Sequence, residues 1–108
     1  MKYLSRPEEL VLLAIWKMED EPYGVNIRNF VRELTGKYWS VGSIYVPLDR
    51  LENKGFLRSK LSHPTPERGG KSRRLYEITK EGLEELEEIR KIYQAAWENT
   101  PNISKKKA

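Results

Sequence analysis

The chain has 108 residues, of which 33% are charged and 38% hydrophobic, with no cysteine and a single histidine; that is room for one small core but not for a core plus a separate catalytic domain. Disulfides, thiolate nucleophiles and Cys-based zinc sites are excluded, and His63 alone cannot build a metal site, so no cofactor is expected. With no apolar run of about 18 residues and no leader pattern, neither a membrane span nor a secretory signal is expected, which leaves the cytoplasm.

The net charge of +4 is unevenly spread. Residues 40–78 hold eight Lys/Arg against four Asp/Glu, and residues 79–99 hold three against six. A basic middle and an acidic end fit nucleic-acid binding, but equally a solvated surface, until position is considered.

Ser5-Arg6-Pro7-Glu8 reads as the start of a first helix. Ser5 can cap it, Glu8 three residues on completes a capping box, and Pro7 is tolerated in the first turn. Tyr3 and Leu4 could staple onto it. Leu10, Leu13, Ala14 and Met18, widened by Val11 and Trp16, give more apolar surface than one buried face needs. Glu19 to Pro22 is an acidic turn. Tyr23-Gly24 then leads into a second helix with Val25 or Ile27, Phe30, Val31 and Leu34 apolar, closed by Gly36 in the left-handed conformation. Lys37, Tyr38 and Trp39 form a short connector, so a helix-turn-helix is expected.

In the third helix Ile44, Leu48 and Leu51 share the core side, while Ser43, Val46, Arg50, Asn53 and Lys54 occupy the opposite one, as a helix entering a DNA groove requires. Gly55 ends it. Pro47 places the expected cap at Ser43; a start at Ser40 would leave Pro47 interior, at about 3 kcal/mol or a kink. Phe56 to Leu61 and Arg74 to Ile78 alternate as half-buried strands, separated by a span with two prolines and two glycines, and predict a two-stranded wing. Thr79 can cap a last helix of roughly 20 residues and 30 Å. Its apolar positions are Leu83, Leu86, Ile89 or Arg90, Tyr93, Ala96 and Trp97. Leu83 and Leu86 are expected on the chain's own core, and the turns beyond Ile89 should outrun it.

Three motifs, Tyr23-Gly24, Ser43-Ile44-Tyr45…Leu48…Arg50-Leu51-Glu52…Lys54-Gly55-Phe56-Leu57, and Arg68-Gly69-Gly70-Lys71-Ser72-Arg73-Arg74-Leu75-Tyr76-Glu77-Ile78-Thr79…Gly82, make the chain resemble the PadR family of winged-helix regulators from about Leu10 into the last helix. One departure is that Val46 stands between Tyr45 and the proline that usually follows this tyrosine directly. The resemblance implies a cytoplasmic, homodimeric transcriptional repressor whose last helices dimerise and whose effector, if any, is a small molecule.

The expected fold is α+β, mainly helical: a winged helix-turn-helix over residues 1–78, a dimerisation helix over 79–99 and a disordered basic tail over 100–108. Double-stranded DNA is the expected partner. Its contacts are expected from Ser40, Ser43, Tyr45, Arg50 and Lys54 and from Arg68, Lys71, Arg73 and Arg74 of the wing. Tyr45 could equally be a core residue, Arg74 could face the strand's own solvent side, and Asp49 or Glu52 could pair with Arg50. Leu10, Leu13, Leu86, Ile89, Tyr93, Ala96 and Trp97 suit a dimer seam, and Trp16, Tyr93 and Trp97 could offer flat surfaces to a small aromatic ligand. A winged-helix module that binds an acidic protein instead of DNA is the rival. No nucleophile, metal set or acid–base pair supports an enzyme.

Overall fold

The computed structural model describes residues 3–63 and 72–104. Four helices and a two-stranded antiparallel sheet follow in the order α1 (Arg6–Lys17), α2 (Gly24–Thr35), α3 (Val41–Asn53), β1 (Leu57–Leu61), β2 (Arg74–Ile78) and α4 (Lys80–Trp97). The fold is therefore α+β and mainly helical, as the sequence predicts. Among the described residues no helix is long and apolar enough to cross a membrane.

α1 begins with the predicted capping box: the Ser5 amide donates to Glu8 Oε1 at 2.9 Å and the Glu8 amide to Ser5 Oγ at 3.3 Å. Its buried face is Val11, Leu12, Ala14 and Ile15. Leu10 is only half-buried, and Leu13 and Trp16 are exposed, so the surplus apolar surface lies on a second side of the helix. In α2, Ile27 and Val31 are buried and Gly36 closes the helix at φ 68°. Ile44, Leu48 and Leu51 of α3 complete the core with Leu57 and Tyr76 of the wing, and Leu4, Phe30 and Leu86 pack around it.

The start of α3 corrects the sequence expectation. Ser40, not Ser43, is the cap: its Oγ accepts from the Ser43 amide at 3.1 Å, while Ser43 Oγ donates to the Ser40 carbonyl at 2.7 Å. Pro47 is consequently inside the helix. An amide at that position would have bonded to the Ser43 carbonyl. Ser43 is exposed, so water can take that acceptor, and Pro47 is buried beside Leu48, which offsets the lost bond.

β1 and β2 pair with Leu57 opposite Ile78 and Ser59 opposite Tyr76. The chain before α2 extends the wing: Tyr23 bridges Leu75, and the Tyr76 amide donates to the Pro22 carbonyl at 2.9 Å. Thr79 caps α4, accepting from the Gly82 amide at 3.0 Å and donating to the Gly55 carbonyl at 2.6 Å. A second correction concerns this helix. Leu83, expected in the core, is 41% exposed, and the buried residue of α4 is Gly82. Gly82 lies so close to the Phe56 carbonyl that no Cβ would fit between them. From Lys91 to Ser104 every residue is exposed. The radius of gyration is 16.3 Å, against about 13 Å for a compact chain of 100 residues; α4 projects as a rod.

Candidate nucleic-acid interface

The outer surface of α3 carries Gly42, Ser43, Val46, Asp49, Arg50 and Asn53, all exposed, at steps of three and four. This is one continuous stripe of small, polar and charged groups, the character a helix face needs to enter a major groove. The Arg50 side chain makes no hydrogen bond or ion pair with a described residue. The expected alternative pairing with Glu52 does not form, because Glu52 Oε2 accepts from Ser59 Oγ at 2.6 Å.

Ser40 and Ser43 sit at the N-terminal end of α3, where unpaired backbone amides and the helix dipole favour an anion. Tyr45 is divided between two roles. It keeps 39% of its surface exposed, yet its ring lies against Gly24 of α2 so tightly that a Cβ there would come within 2.5 Å of Cζ. Lys54, at the end of α3, has its ammonium 2.5 Å from Glu8 Oε2, so its charge is answered inside the fold.

On the wing, Arg73 stacks over the Tyr23 ring, 4.1 Å from its centroid, and its amide donates to Ser62 Oγ at 3.0 Å. Arg74 Nη1 donates to Ser59 Oγ at 2.9 Å, joining a chain from Arg74 through Ser59 to Glu52 of α3. Burial, then the Asp49 charge, push the neighbouring Tyr76 hydroxyl up to about 12, so it stays neutral beneath this surface. Arg68 and Lys71, and the tail lysines 105–107, lie outside the described residues. Tyr23 joins this candidate surface without a signal of its own in the sequence: it stands directly before Gly24, and its pairing with residue 73 arises only through the fold.

α1 and α4 flank a groove of about 790 Å³ lined by Leu10, Leu13, Trp16, Leu83, Leu86, Ile89 and Tyr93 together with the charged Arg6, Glu9, Glu87 and Arg90. Tyr93 Oη donates to both oxygens of Glu9, at 2.9 and 3.1 Å, and that hydrogen bond raises its pKa. Trp16 and Tyr93 thus share one groove, whereas Trp97, 56% exposed, is not among its lining residues. Ala96 is exposed on the same free end of α4 as Trp97.

The sequence profile of the transcriptional regulator PadR-like family matches residues 12–88. No curated protein matches. Among solved structures, a PadR-like transcriptional regulator from Bacillus cereus superposes with a TM-score of 0.67 at 28% identity over 82% of each chain. A PadR family regulator from Clostridium difficile gives 0.65 at 27%, covering 86% of this chain and 88% of that one. A Streptococcus transcriptional regulator gives 0.66 at 29%, over 82% of each. With the matched region spanning most of its length, this chain belongs to the PadR-like family of transcriptional regulators, non-enzymatic proteins that act by binding DNA.

Proposed function

We propose that the protein is a cytoplasmic repressor that binds an inverted-repeat operator as a homodimer. The carrying observation is the exposed stripe of α3 from Gly42 to Asn53, whose Arg50 side chain has no partner among the described residues. In this reading α3 enters the major groove, Arg50 reads a base or phosphate, and the wing arginines hold the adjacent backbone. Family membership favours DNA over an acidic protein as the partner of the basic face.

The exposed apolar groups of the rod supply the dimer. Leu13 and Leu83 beside the groove, with the half-buried Leu10 also in its wall, and Tyr93, Ala96 and Trp97 along α4 would present apolar surface to water in a lone chain, and a two-fold partner helix covers such a surface with one repeated contact. The same groove, apolar with Trp16 and Tyr93 in its wall, suits a flat aromatic effector that shifts the two recognition helices relative to each other.

Sedimentation at micromolar concentration, combined with protection mapping on the promoter of the protein's own operon, tests the whole reading. Two protected half-sites spaced by whole helical turns are expected from a dimer. A sedimenting monomer, or no protection at low salt, overturns it.

A further inference from the structure

Arg28 is half-buried on α2, and its Nε is enclosed by protein with no hydrogen-bond partner. Its two Nη groups donate to no described residue either, but they keep access to solvent. A guanidinium cannot shed its charge, and buried donors are nearly always paired. This side chain is therefore a permanent cation with no acceptor among the described residues.

Its place in the fold indicates what the acceptor is. Gly24 and Arg28 are one turn apart on the same side of α2, and Gly24 is the residue covered by the Tyr45 ring of α3. Long helical side chains lean towards the N-terminus of their own helix, which for Arg28 is the direction of Gly24 and of the α2 surface that Tyr45 of α3 covers. One turn later Arg32 lies over the Tyr38 ring, 5.2 Å from its centroid. Like charges four residues apart repel mildly, and neither cation forms an ion pair with a described acid. The flank of α2 beside the recognition helix is thus basic and unanswered.

We propose that Arg28 is a DNA-contacting residue whose guanidinium takes a backbone phosphate of the duplex held against α3, with Arg32 extending the contact along the same flank. The proposal rests on the DNA-binding reading and adds α2 to it. A phosphate fits better than a base edge, because the helix preceding a recognition helix crosses the backbone and the planar fork of arginine matches two phosphate oxygens.

The test measures binding of the full chain to a fluorescent mixed-sequence duplex across a salt series, with a thermal melt of each variant. Arg28→Met keeps the stem and removes the charge. It should weaken binding by about tenfold, lower the slope of log affinity against log salt by about one per bound subunit, and leave the melting temperature equal or higher. Arg28→Lys should recover part of the affinity. Unchanged affinity and slope in Arg28→Met, with wild type binding normally, overturns the proposal and leaves the DNA reading intact. Loss of binding in step with melting temperature in both variants makes the role structural and overturns it too. If wild type binds no duplex at low salt, the underlying reading falls and this contact with it.

Discussion

Glu8 and Lys54, 46 residues apart in the chain, meet at 2.5 Å and fasten the first turn of α1 to the end of α3. Glu8 is 3% exposed, yet both its oxygens are used, one on the Ser5 amide and one on the Lys54 ammonium. The next residue, Glu9, holds Tyr93 of α4. Adjacent carboxylates thus tie one helical turn to both α3 and the rod. Any change in the tilt of α4 has a short path of packed groups to α3.

Breaking this pair should cost stability in a pH-dependent way. Burial pushes the Glu8 carboxyl up, but hydrogen bonds from Lys54 and Ser5 outweigh it and hold the group below the usual carboxylate range. A carboxylate depressed in the folded state stabilises the protein above its unfolded value of about 4.3 and loses that contribution as pH falls through the folded value. Thermal melts from about pH 3 to 7 should show wild type weakening at the acid end and Glu8→Gln with a flatter profile. Glu8→Ala should cost about 2 kcal/mol, less than a fully enclosed pair, since the Lys54 side chain keeps 32% of its surface in water. Lys54→Met should lower stability without changing the salt dependence of DNA binding. A reduced salt slope would instead assign Lys54 to the duplex.

Gly24→Ala should disturb the seat of α3 on α2. A methyl there would overlap the Tyr45 hydroxyl, forcing the ring off α2 at about 1 to 3 kcal/mol. The pairing is specific, so Tyr45→Ala and Gly24→Ala together should cost less than the sum of the two alone, as in any double-mutant cycle across a contact. Strict additivity in chemical denaturation would show that the two residues do not sense each other.

Gly82→Ala should be more damaging than its position in an acidic helix suggests. The obstacle is the Phe56 backbone carbonyl, with Ile78 Cγ2 only 2.8 Å from where the new methyl would sit, and backbone cannot swing aside as a side chain can. A loss of about 2 to 3 kcal/mol is expected in denaturant titrations, whereas Leu83→Ala, at an exposed position, should barely alter the stability of a subunit by itself.

These positions mark where the sequence was and was not legible. Element boundaries carried by local chemistry, such as the Ser5–Glu8 box, Gly36 and Thr79, were readable because both partners lie within a turn. Gly82 was invisible to hydrophobic periodicity, since a residue without a side chain adds nothing to the pattern even when it is the closest approach; the neighbouring Leu83 took its place. Pro47 misled in the opposite way. Its local penalty argued for a cap at Ser43, but burial of its ring decided for Ser40. Within the candidate interface, the stripe from Ser43 to Asn53 followed from spacing, whereas the partners of Lys54, Arg73 and Arg74 did not, because each bond joins elements far apart in the chain.

The stack of Arg73 on Tyr23 separates charge from positioning on the wing. Arg73→Ala removes a cation, so it should weaken binding to all sequences and lower the salt slope by about one per subunit. Tyr23→Leu leaves the cation but removes the ring beneath it, an interaction of about 1 kcal/mol at a partly desolvated site. Its slope should therefore stay at the wild-type value while affinity falls by less than tenfold. Tyr23→Phe retains the aromatic face and should match wild type in both. Equal slopes for wild type and Arg73→Ala would mean that this guanidinium serves the fold through Tyr23 and never reaches a phosphate.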